Sequence, residues 1–235
     1  MRLAARFCGL LLLAAVALQL YFLLRVATMI AIDPRSTTFQ RSEAWRLLAA
    51  GRLDWSQEWT PYAQISVQLK RAVIAAEDAD FAEHAGLDWD ALERAWERNQ
   101  KAESRALARK SEPRLVGGST ITQQMAKNLF LSGERHWLRK VQEAALAFMI
   151  EALLDKQRIL EIYLNSVEWG EGVFGAEAAA RRYFRTSAAQ LSATQAARLA
   201  VMLPAPKRFE KRPGSPYMLG RAASVQARMG DVEAP

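Results

Sequence analysis

The chain has 235 residues, 51% hydrophobic and 24% charged, which excludes global disorder and leaves apolar material for a sizeable core in one or two domains. Twelve Gly and eight Pro exclude collagen-like and low-complexity readings, a single Cys excludes a disulfide scaffold or Cys-rich zinc module, and two His leave little for a His-based metal site. The formal net charge of +7 points to an anionic partner: nucleic acid, phospholipid headgroups or a phosphorylated substrate.

Phe7 to Leu24 is an uncharged apolar run interrupted only by Gln19. As a helix it spans about 27 Å, close to a hydrocarbon core of about 30 Å. Its length favours an uncleaved anchor over a cleavable signal peptide, whose small-x-small site would be Ala15-Val16-Ala17. Arg2 and Arg6 place the N-terminus in the cytoplasm and residues after 35 outside, an asymmetry that Arg25 weakens without reversing. Cys8 lies inside the span, so the exported part has no cysteine, in keeping with an oxidising compartment.

Residues 33–38 form a polar linker with Pro34, and 39–62 are mixed, with Trp45, Trp55 and Trp59 as packing aromatics. From Ser66 onward helical periods dominate. One helix runs from about Val67 into Glu77, and Asp88 is placed to cap another through Trp96 and Asn99. Lys101 to Arg114 is charge-rich and weakly patterned and reads as a loop. Thr120 with Gln123 and Ser192 with Gln195 are capping boxes, the second opening a helix that runs to Pro204. Leu138 to Leu154 is apolar nearly all round and reads as the central helix. Gly170 to Gly175 is a glycine-rich turn, Ala176 to Phe184 is helical, and no useful strand pattern follows residue 66. The fold class is mainly α.

Four groups of residues suggest chemistry. Glu77, Asp78, Asp80, Glu83 and Asp88 crowd a helix end and the loop after it; they form either a solvated acidic turn or a site where like charges and burial raise one carboxyl's pKa toward that of a general base. Gly117-Gly-Ser-Thr-Ile-Thr-Gln-Gln-x-x-Lys127 reads either as an ordinary capped helix or as a phosphate-binding helix start, with Lys127 and Arg135 adding charge. Glu143 on the apolar helix is costly unless paired, and Arg139 and Lys140 are one turn away. The glycines of Gly170-x-Gly172-x-x-Gly175 lack the strand that a nucleotide-binding loop requires. Lys207, Arg208, Lys211 and Arg212 are either membrane-headgroup contacts or solvated charges.

Taken in order, Glu77-Asp-x-x-Phe-x-x-His-x-Gly-x-Asp, Gly117-Gly-Ser-Thr-Ile-Thr-Gln-Gln-x-x-Lys-Asn, Arg139-Lys-x-x-Glu and Ile159-Leu-Glu-x-Tyr-Leu-Asn-x-x-x-x-Gly-x-Gly-x-x-Gly resemble the peptidoglycan glycosyltransferases of family 51, over residues 65 to 210 and most closely the family's monofunctional branch. The resemblance implies a lysozyme-like, mostly helical glycosyltransferase domain with a small membrane-proximal jaw, preceded by one transmembrane helix. The expected organisation is an anchor over 1–35, a linker and jaw segment over 36–65 and the catalytic domain over 66–235. The implied reaction polymerises lipid II into β-1,4-linked glycan strands with inversion at the donor MurNAc C1, releasing undecaprenyl diphosphate. By motif, Glu77 is the general base, Glu143 the second essential glutamate, and Lys127 and Arg135 steady the donor pyrophosphate. Asp78, Phe81, His84, Ser119, Thr120, Gln123 and Gln124 match further positions lining the site. Arg185 departs from the pattern, where Gly is expected after Tyr183-Phe184.

The implied partners are lipid II, the growing strand and membrane lipids, not nucleic acid, with cell-division or wall-synthesis proteins left open. No cofactor is required, and divalent-cation assistance is left open. The implied location is the inner membrane, with one pass and a periplasmic catalytic domain. The rival readings are a lysozyme-like glycan hydrolase and a catalytically silent scaffold.

Overall fold

Helix α1 (Arg2–Thr28) opens the computed structural model, which describes residues 2–52, 54–109, 111–112, 117–134 and 136–235. It has 27 residues, its most apolar stretch has a mean hydropathy of 2.4, and it stands almost entirely free of the rest of the chain. By length and composition it is a candidate membrane span. Its C-terminal third docks on the folded body. Val26 and Met29 are buried, and Phe22 meets Phe130 edge-on at 5.5 Å. Gln19 and Gln142 exchange amide hydrogen bonds of 2.9 and 3.1 Å. Arg158 donates to the Met29 carbonyl at 2.8 Å and pairs with Asp33 at 2.7 Å.

Helix α2 (Thr38–Ala49) occupies part of the segment read as mixed, and Thr38 belongs to it rather than to the linker. A Thr37–Gln40 capping box starts it, and its weak amphipathicity explains why periodicity gives no sign of it. The strand β1 (Ser56–Gln57) follows. Helix α3 (Val67–Glu77) has the expected bounds and is capped by Ser66. Helix α4 (Trp89–Arg109) begins beside Asp88, whose carboxylate accepts from the Ala91 amide at 2.7 Å. It extends through much of the stretch read as a loop: 101–109 is helical, while 110 and 113–116 lie outside the described residues. That stretch is rich in Ala, Arg, Glu and Lys, which favour helix, and has neither Gly nor Pro before 110; its inward face is carried by the small Ala102 and Ala106, which leaves a weak apolar period.

Helices α5 (Ile121–Phe130), α6 (Trp137–Leu153) and α7 (Lys156–Ser166) pack on one another. The central helix is α7, not α6: Ile159, Leu160, Ile162, Tyr163 and Leu164 are wholly buried. On α6, Glu143, Leu146, Ala147 and Ile150 face inward, whereas Trp137, Leu138, Val141 and Phe148 are exposed. An outward apolar face on the helix that α1 docks against fits a surface meeting lipid.

The glycine-rich turn is a small hairpin, β2 (Glu168–Gly170) and β3 (Val173–Phe174), with β1 parallel to β3 on its other side. Strands of two or three residues are too short to leave a period-2 signal. Gly172, at φ +69°, could carry no side chain, since a Cβ would lie 2.0 Å from the Asp54 carbonyl oxygen. Helix α8 (Ala176–Phe184) has the expected bounds, and Arg185 caps it in the left-handed region at φ 53°. Helix α9 (Ala193–Ala200) has the Ser192–Gln195 box but ends before Pro204, in turns. The short α10 (Pro206–Phe209) and then α11 (Pro216–Arg228) close the chain, with α9 sandwiched between α3 and α11.

Candidate active site

The cavity beside Glu77 has a volume of about 490 Å³ and is bounded by the end of α3, the start of α4, residues 117–120 and one face of α11. Glu77 is the last residue of α3, with most of its carboxyl packed in protein and one edge toward the cavity. Its orientation is fixed by a relay: the wholly buried Tyr163 hydroxyl donates to Gln124 Oε1 at 3.0 Å, and Gln124 Nε2 donates to Glu77 Oε2 at 2.7 Å. Burial raises the Glu77 pKa above the usual carboxylate value, and Asp78 adds to the rise; the Gln124 hydrogen bond and the charges of Arg221 and Lys127 oppose it. The carboxyl is thereby shifted toward the range of a general base.

Asp78 is 6% exposed and bonded through both oxygens. Oδ2 accepts from the Ile121 amide at 2.8 Å, at the N-terminus of α5. Oδ1 meets His84 Nε2 at 2.9 Å. The Gly86 amide donates to His84 Nδ1 at 3.1 Å, which places the imidazole proton on Nε2, toward Asp78. An acid that would oppose the α3 dipole is thus spent on the favourable end of α5.

The other residues singled out by sequence divide by what they touch. Ser119 and Thr120 line the cavity. Thr120 and Gln123 form the α5 capping box and are buried, and Thr120 also donates to the Gly86 carbonyl at 2.6 Å. Phe81 lies in the core beneath the Lys156 ammonium, 4.6 Å from its ring centre. Glu143 is 3% exposed and holds both Arg139, at 3.0 Å, and Lys140. Lys140 also donates to Ser119 Oγ at 2.9 Å, so the second glutamate reaches the cavity wall through one cation. Burial lowers the Lys127 pKa, while the Glu143 and Glu77 charges push it back up. Arg135 lies outside the described residues.

Sequence reasoning missed Arg94, Arg98, Arg221 and Arg228, which share the cavity wall with Glu77. The available signal was spacing: Arg94 and Arg98 are one turn apart, and Arg221 and Arg228 are two turns apart. Of the four basic residues proposed at headgroups, Lys207 is committed elsewhere: it pairs with the buried Glu43 at 2.7 Å and with Glu168 at 3.0 Å. The Arg46 and Lys207 contacts hold the Glu43 pKa down at about 2. Among the described residues no three of His, Cys, Asp and Glu gather where they could hold a metal ion.

A family model described as Transglycosylase matches residues 47–230. The chain belongs to the transglycosylase family. Relatives support the assignment across nearly the whole length. A biosynthetic peptidoglycan transglycosylase of Paraburkholderia xenovorans (strain LB400) is 51% identical over 226 residues, 95% of this chain and 90% of the relative. One of Cupriavidus metallidurans is 56% identical over 217 residues, covering 90% of this chain and 88% of the relative. The transglycosylase match takes in the last three residues of α2 and the arginines of α11 as well as the motifs read from sequence.

Proposed function

We propose that Glu77 is the general base of a peptidoglycan glycosyltransferase that joins lipid II into glycan strands. It accepts the proton of the acceptor GlcNAc 4-hydroxyl as that oxygen's electron pair attacks C1 of the lipid-linked donor MurNAc. The C1–O bond electrons leave with undecaprenyl diphosphate, and attack opposite the leaving group gives a β-1,4 bond with inversion. The motif resemblance assigns Lys127 and Arg135 to the diphosphate, whose charge grows as the bond breaks. Glu143 acts by holding Arg139 and Lys140 in place. The chemistry as written requires no cofactor. With α1 spanning the membrane and Arg2 and Arg6 inside, the catalytic body lies on the outer face beside its lipid substrate.

The observation carrying this reading is one carboxyl of raised pKa, aimed by the Tyr163–Gln124 relay and open to a cavity. The test is incubation with purified lipid II, followed by separation of polymer from free lipid. Lys127→Met should reduce polymerisation about 10- to 150-fold, the worth of a charge-assisted contact of about 1.5–3 kcal/mol. It should leave stability unchanged or raised, because burial already disfavours the Lys127 charge. Parental polymerisation by this variant refutes the role of Lys127, and sugar reducing ends released from finished glycan by a parent that makes no polymer refute the glycosyltransferase in favour of a hydrolase.

A further inference from the structure

Two further cavities follow the one at Glu77, each sharing a wall residue with the one before. Tyr217 lines both the Glu77 cavity and a second of about 910 Å³, and Lys211 lines both the second and a third of about 710 Å³. The three cavities mark a path from the base, past α10 and α11, to α8. Resting on the reading that this chain builds glycan, we propose that the path is a binding track for the product strand, recognising sugar rings and the carboxylates of their peptide stems.

Its lining has both chemistries. Tyr217 is 59% exposed and stacks on Phe209 at 6.0 Å; Trp55 is 41% exposed and stacks on Phe174 at 4.9 Å. Each ring is backed on one side by another aromatic, which stiffens it and leaves a face for the apolar side of a sugar. At the far end, Arg52 and Arg181 are neutralised by Glu171 and Glu177, whereas Arg182, Arg185 and Lys211 make no ion pair among the described residues. Arg185 is also the only non-glycine residue at positive φ among those described, in a capping position where Gly is unstrained. A strained, unpaired cation on a cavity wall fits a carboxylate supplied from outside. The occupant is a strand and not a bilayer, because the exposed apolar residues of α1 and α6 contribute to none of the three cavity walls.

The track is tested in the full-length Glu77→Gln chain, which cannot extend what it holds. The probes are soluble uncrosslinked glycan strands with peptide stems, and the same strands stripped of peptides. Adding Arg182→Ala, Arg185→Gly and Lys211→Ala should weaken binding of the peptide-bearing strand about tenfold at low salt, three exposed contacts of a few-fold each. The stripped strand should bind with unchanged affinity, and Trp55→Ala should weaken both. Arg185→Gly relieves its backbone, so an undiminished Tm separates lost contacts from lost folding. In the active chain the triple variant should make shorter polymer while coupling the first two lipid II molecules at the parental rate. Equal strand affinity with equal polymer length overturns the track. So does a binding loss that appears with anionic phospholipid vesicles and not with strands. A parent that makes no polymer from lipid II refutes the glycosyltransferase reading separately, whatever strands the Glu77→Gln chain binds.

Discussion

Replacing Asp78 by Asn removes one charge and almost no volume, at a side chain whose two oxygens each receive a donor: the Ile121 amide at 2.8 Å and His84 Nε2 at 2.9 Å. An Asn has one acceptor oxygen, so its amide nitrogen must face one of those N–H groups. The His84 ring cannot relieve the conflict by changing tautomer, because the Gly86 amide already donates to Nδ1. One charge-assisted hydrogen bond is lost in a site only 6% exposed, a cost of about 1.5–3 kcal/mol. For a chain of this size that lowers Tm by roughly 3–12 °C. Because Asp78 ties the end of α3 to the start of α5, Glu77 and Gln124 should shift relative to each other, and a misplacement of about 1 Å costs on the order of 10²-fold in rate. Differential scanning fluorimetry in detergent and polymerisation of lipid II at several pH values measure both effects. Because the Asp78 charge helps to raise the Glu77 pKa, the acid limb of the rate profile should move to lower pH. A variant with parental Tm and parental rate would refute the positioning role.

Glu77→Gln should cut polymerisation by about 10²- to 10⁴-fold. Because burial raises the Glu77 pKa in the folded chain, that carboxyl favours the folded state at low pH and the benefit is lost as pH rises through the raised value. Thermal scans against pH should therefore show the Gln variant gaining on the parent above that point, and the parent's own activity should fail on acidification through it. Gly172→Ala forces a Cβ to 2.0 Å from the Asp54 carbonyl at a positive φ, and should cost about 1–3 kcal/mol or more in chemical denaturation. Gln19→Leu and Gln142→Leu break the amide pair between α1 and α6; a double-mutant cycle in detergent should give a coupling of about 0.6 kcal/mol.

The parts of the fold legible in the sequence are those with local chemistry. The boxes at Thr120 and Ser192 and the cap at Asp88 locate three helix starts because a side chain and a nearby amide settle each one. Where the outcome depends on what lies across the structure, the pattern misleads. Helix α6 is apolar on two faces for two reasons: one is buried against the body, the other exposed beside α1, and composition does not tell core from a lipid-facing surface. The helical end of α4 fails in the opposite sense, because its inward positions, Ala102 and Ala106, are small residues that mark an apolar face only weakly among good helix formers.

The same division runs through the site. Motif order gives Glu77, Gln124, Lys127 and Glu143, and the acid pair at the end of α3 allows either a solvated turn or a perturbed carboxyl. It cannot say which acid is free. The structure decides through geometry: Asp78 finds two donors and Glu77 finds one, so the second keeps an edge toward the cavity. Nor can spacing bring α11 to α3, since more than 140 residues separate Glu77 from Arg221 and the two helices meet only through tertiary packing, with each other and with α9. Arg221 then opposes the burial of Glu77 from a distant part of the chain, which makes the pKa of the proposed base a property of the tertiary fold and not of the acidic motif.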